Sequence, residues 1–83
     1  MATRTLNSAA AINTWMTQKL VCVDDCRGSV LNLKYPLQQP DETGCNWSAD
    51  FHLAPGPDTN LEHAMPIAKR IVDEARAQFN LPD

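Results

Sequence analysis

Eighty-three residues, 43% apolar and 20% charged, form one small domain over residues 1–83, with no room for a second core. The net charge of −3 is uneven: Arg4, Lys19, Arg27 and Lys34 meet only Asp24 and Asp25 up to residue 40, while eight acids from Asp41 onward meet Lys69, Arg70 and Arg76. Neither half has the dense positive charge that phosphate contacts require, and no run reaches the roughly 20 apolar residues of a membrane span, so neither nucleic acid nor membrane is expected as a partner.

The longest uncharged stretch, Thr5 to Gln18, is broken by Asn7, Ser8, Asn13 and Thr14, and no continuous apolar leader follows Arg4. A cytosolic protein with reduced thiols is therefore expected.

In chain order, the first element reads as a helix over about 8–20, capped by Asn7 or Ser8. Ala9, Ile12, Trp15, Met16, Lys19 and Leu20 recur at spacings of three and four, which is one helix face. LVCV, residues 20–23, is rich in valine but too short to assign as a strand. DDCRGS after it is a cluster of turn formers.

VLNLKYPL, residues 30–37, alternates as a strand with one buried face, and Pro36 limits how far that strand can pair. QQPDETG is a polar loop. CNWSADFHL, residues 45–53, alternates again, with Cys45, Trp47, Ala49, Phe51 and Leu53 on one face. The last helix is expected over about 59–79. Thr59 and Glu62 form a capping-box pattern, Pro66 is an irregularity, and Asn80 is a left-handed cap. Lys69–Asp73 and Arg70–Glu74 have the spacing of pairs on its wet side.

The expected fold is α+β: an antiparallel sheet of two or three strands, with an N-terminal and a C-terminal helix packed on one face, in the order α-β-β-β-α. Its expected core is Ile12, Trp15, Met16, Leu20, Leu31, Leu33, Tyr35, Trp47, Phe51, Leu53, Leu61, Ala68, Ile71, Val72, Ala75 and Phe79. That element order is similar to the double-stranded-RNA-binding domain over most of the chain. Such domains set a basic cluster at the start of the last helix, where this chain reads DTNLEHAM with Asp58 and Glu62. The likeness is therefore one of topology, without the residues that would carry RNA binding.

The stretch VCVDDCRG, residues 21–28, invites three readings. Cys22, Cys26, Cys45 and His52 are ligand types that zinc accepts, although C-x3-C-x18-C-x6-H is not a common zinc spacing. Strand alternation also puts Cys45 and His52 on opposite faces, which weakens a Cys–His nucleophilic dyad as well. Cys22 and Cys26 could bridge as a redox pair, but Asp24 and Asp25 work against a thiolate. The plainest reading is that Cys22 and Cys45 are small buried side chains and Cys26 lies in a turn.

No phosphate loop, metalloprotease motif or complete catalytic set is present, and no cofactor is expected. Asp50 and His52 share a strand face, where a solvated polar surface is the simpler account of them than an acid–base pair. Trp15 and Trp47 sit at core spacing. What remains is an open, mixed-charge sheet face of Asn32, Lys34, Ser48, Asp50 and His52. It suits a non-enzymatic interaction or adaptor module whose partner is another protein or a second copy. The alternative is a zinc- or thiol-dependent regulatory domain that uses the three cysteines and His52.

Overall fold

The computed structural model describes residues 4–37 and 39–82, so Gln38 of the QQPDETG loop lies outside the described residues. The chain runs through β1 (Thr5–Leu6), α1 (Ala9–Val21), a 3-10 turn at Asp24–Cys26, β2 (Val30–Leu33), β3 (Phe51–Ala54), α2 (Leu61–Gln78) and β4 (Phe79–Asn80). It is a small α+β fold with one antiparallel pair, β2–β3, and one parallel pair, β1–β4.

Ser8 caps α1 in extended conformation, its side chain accepting from the Ala11 amide at 3.1 Å. Ile12, Met16 and Leu20, four residues apart, are fully buried. The same helix also presents polar groups to β2. The Thr17 hydroxyl accepts from the Leu31 amide and donates to the Leu31 carbonyl, both at 3.0 Å. Asn13 Oδ1 accepts from the Leu33 amide at 2.8 Å. α1 thus lies along the edge of β2 and satisfies backbone groups that a neighbouring strand would otherwise pair. LVCV is not a third strand: Leu20 and Val21 are helical, and the chain then turns. The α-β-β-β-α order behind the RNA-binding-domain likeness is therefore not formed.

In the β2–β3 ladder Leu31 pairs with Leu53, Asn32 with His52 and Leu33 with Phe51. Beyond it a single bridge joins Pro36 to Trp47. From Leu33 to Pro36 is three residues, but from Phe51 back to Trp47 is four, so the pairing slips by one. The slip turns Tyr35 outward to 52% exposure, against the burial that simple alternation predicts. Pro36 is tolerated because the bonds flank it: the Leu37 amide donates to the Asn46 carbonyl and the Ser48 amide to the Tyr35 carbonyl, both at 2.9 Å.

The tip of this extension is a tight hairpin. Asp41 and Cys45 are joined by an amide-to-carbonyl bond of 2.9 Å, and Gly44 takes the left-handed position (φ 88°) that closes a three-residue loop.

α2 is capped by Asn60, which accepts from the His63 amide, and not by Thr59. The Thr59 hydroxyl is used elsewhere: it donates to the Arg27 carbonyl and accepts from the Gly56 amide, both at 2.9 Å. Pro66 lies inside α2, where it removes only the bond to the Glu62 carbonyl. Ala64, Ala68, Ile71, Val72 and Ala75 form the buried row, and the alanines let α2 approach α1 and the sheet closely. Leu61, expected in this row, is 45% exposed because the helix begins there rather than at Thr59. On the outer side Glu74 meets Lys19 of α1 at 4.0 Å.

Asn80 does not adopt a left-handed cap, since no non-glycine residue among those described has positive φ. Instead it continues extended into β4, which pairs Phe79 with Thr5 and Asn80 with Leu6. Trp47 sits at the centre, fully buried, with Nε1–H donating to the Phe79 carbonyl at 3.0 Å. Trp15 is half-buried, edge-on to Phe79 at 5.2 Å. Cys26, Cys45 and Ala64 complete the core.

Candidate functional site

The direction of the β2 bonds decides what β3 offers. Backbone groups of successive strand residues point to opposite edges. Leu31 and Leu33 turn theirs toward α1, so Val30 and Asn32 bond to Ala54 and His52 of β3. The N–H and C=O groups of Phe51 and Leu53 consequently point away from β2. Among the described residues they have no hydrogen-bond partner within the chain. β3 is an open sheet edge.

The five polar residues expected on the open face are placed in different ways. Asn32 and His52 are cross-strand partners on the outer face, His52 exposed and Asn32 half-buried beside α1. Lys34 and Asp50 follow at the next step of each strand, both exposed. Ser48 is engaged within the chain, its hydroxyl accepting from the Asp50 amide at 3.0 Å across the slip.

Lys34 and Asp50 also border an open groove of about 440 Å³, with Phe51 of β3 and Met65, Lys69 and Asp73 from one flank of α2. Its lining mixes apolar side chains with two cations and two carboxylates. Sequence reasoning missed Met65 and Lys69 here. The signal was present, because Met65, Lys69 and Asp73 are spaced four apart, one row round from the buried alanines.

The cysteines are not gathered. Cys22 is exposed at the end of α1, Cys26 is buried under the 3-10 turn, and Cys45 is buried with its thiol toward the Trp47 carbonyl. Cys22 is thus exposed rather than buried as the sequence suggests, because α1 carries it past the core, while Cys26 lies in the expected turn but is buried there. His52 stands on β3, and among the described residues no three His, Cys, Asp or Glu side chains are grouped to hold a metal ion. Burial first, and the charge of Asp25 second, push the Cys26 thiol up from its ordinary value, away from the thiolate that redox chemistry needs.

VCVDDCRG is a connector that docks on the start of α2. The Asn60 amide donates to the Asp25 carbonyl at 2.7 Å, and His63 Nδ1 lies 3.1 Å from the Asp25 carboxylate. The other side-chain neighbour of His63 Nδ1 is the Asn60 amide, at 3.4 Å.

A second polar cluster was not legible as such. Arg76 donates to the Asp41 carboxylate and to the Trp47 carbonyl, and Arg4 Nε donates to the Arg76 carbonyl at 2.7 Å, near the end of α2. The Thr43 hydroxyl, with the Thr43 and Cys45 amides and Arg76, holds the Asp41 carboxyl well below its usual range, against the opposing effect of burial. Asn46 grips the backbone of Leu81 with two bonds of 2.7 Å, while Asn80 bonds Gly44 and Asn46 in return. The cluster uses its polar groups internally, so it fastens the C-terminal segment to the hairpin and offers little to a ligand. Among the described residues no helix is long and apolar enough to cross a membrane.

Comparison of the chain with protein-family models, with curated proteins and with solved structures finds no match.

Proposed function

We propose that the chain is a non-enzymatic protein-interaction or adaptor module, which meets its partner along β3 and the adjoining outer face. The observation that carries this reading is the edge itself. Phe51 and Leu53 present two amides and two carbonyls without partners among the described residues, next to a groove lined by both apolar and charged side chains. Edge strands of this kind are templates for pairing with another chain. β3 reads Phe-His-Leu-Ala, with no lysine or proline inside it to discourage pairing.

The test substitutes Lys34, Asp50 and His52 together by alanine. All three are exposed, so the melting temperature should stay within a few degrees of wild type. Proteins captured by the wild-type chain should be lost by the variant, and retained by a control variant of exposed Glu42, which does not line the groove. Equal capture by the triple variant would remove this surface from consideration.

A further inference from the structure

We infer that the occupant of the β3 edge is a second copy of this chain, joined antiparallel across a two-fold axis at His52 to give the four-stranded order β2-β3-β3-β2. The inference rests on the interaction reading above and names the partner.

The open groups fall at Phe51 and Leu53, symmetrically about His52. An antiparallel copy centred there sets each Phe51 against the partner's Leu53, and each such pair exchanges two N–H···O bonds. Four bonds result, and every open donor and acceptor of both edges is satisfied by the same edge of the other copy. Self-complementarity of this kind is what a two-fold interface demands. The register is confined on both sides: the slip at Ser48–Asp50 ends regular pairing before β3, and Pro55 ends it just after.

Charge and shape agree with this. Around the groove Lys34 and Lys69 are matched in number by Asp50 and Asp73. A copy carrying the same balanced set is electrostatically compatible, whereas a strongly acidic or basic segment is repelled by half of it. The side chains of Phe51 and Leu53 point to the core side of the sheet. Those of the added β3 strand therefore project over the flank of α2, where Met65 is 44% exposed beside the groove.

The experiment is sedimentation of the full chain over a concentration series, with a crosslink to fix the register. The wild type should be a dimer. His52→Lys puts two like charges directly opposite each other on the exposed face, about 4.5–5.5 Å apart at Cβ, and should weaken the dimer about tenfold with an unchanged melting profile of the monomer. In a Cys22→Ser background, His52→Cys should form an intermolecular disulfide on mild oxidation, since a non-bonded antiparallel pair brings the Cα atoms within disulfide range. Asp50→Cys in the same background should not, because residue 50 faces residue 54 of the other copy.

A wild-type monomer at every concentration overturns the inference. So does a dimer whose dissociation constant His52→Lys leaves unchanged, or one in which Asp50→Cys crosslinks as well as His52→Cys. A monomer that still loses its captured partner in the Lys34, Asp50 and His52 triple variant would overturn self-pairing while sparing the interaction reading.

Discussion

A Cβ placed on Gly56 would stand 2.5 Å from the Gly28 carbonyl oxygen and 2.8 Å from its carbon. Both are backbone atoms, so neither can swing aside. Here the turn after the 3-10 segment touches the loop before α2, and only a residue without a side chain lets them meet. Gly56→Ala should cost about 2–4 kcal/mol in a denaturant melt, whereas an alanine at exposed Pro57 should change little. The sequence marks Gly56 as a turn residue and no more, because its neighbour is 28 positions away and close approach has no local signature.

The cysteines show the converse. Their residue types suggested metal or redox chemistry, while burial assigns them separate fates. A thiol titration of the native chain should show Cys22 reacting fast, with Cys26 and Cys45 reacting only on unfolding. Two fast thiols would contradict the packing described for the core.

Among the elements, α1 was legible from its cap and apolar spacing, and α2 from apolar spacing alone, since its cap is Asn60 and not Thr59. Ser8 and the row Ile12, Met16, Leu20 could be read directly. The strands were legible in existence but not in extent. Alternation continues through Lys34 and Tyr35 in the sequence, and nothing local announces that the partner strand holds one extra residue. The expected third strand failed for a different reason, since its place is filled by side chains. Thr17 closes both the amide and the carbonyl of Leu31. Thr17→Val keeps the shape and leaves both groups unpaired at a half-buried position. It should destabilise by about 2 kcal/mol, a fall of roughly 10 °C in Tm for a domain of this size. Thr17→Ser, which keeps the hydroxyl, should recover most of the loss. The open groups of β3 follow from the same bonds, so that part of the candidate site could not be reached from β3's own sequence. The side-by-side placement of Asn32 and His52 could, while that of Ser48, across the slip, could not.

For the whole molecule, the cluster of Arg4, Asp41 and Arg76 joins residues more than 70 positions apart and ties both ends of the chain to the hairpin. The folded chain holds Asp41 ionised more firmly than the unfolded chain does. Its contribution is therefore complete above the ordinary carboxylate range, and it is lost as pH falls below about 4 toward the depressed folded value. Melts taken at steps from pH 7 to pH 2 should show stability dropping in that window. Asp41→Asn should lower the melting temperature at neutral pH and flatten the acid limb. An acid limb identical to wild type would mean that other carboxylates govern acid unfolding.

The occupation of the β2 edge by Asn13 and Thr17 also sets a limit on growth. A two-stranded sheet with both flanks bare could add copies on either side without end, which is the geometry of a fibril. Here one flank of the β2–β3 pair is stoppered from within the chain, which leaves β3 as the free edge of that pair. Where two copies pair through that edge, as inferred above, each consumes the other's, and this pair of strands cannot grow further. Asn13→Ala and Thr17→Val together should soften the fold without producing elongation, since α1 itself still lies along β2; concentration-dependent turbidity or dye-binding fibres would show that the two side chains alone are the stopper.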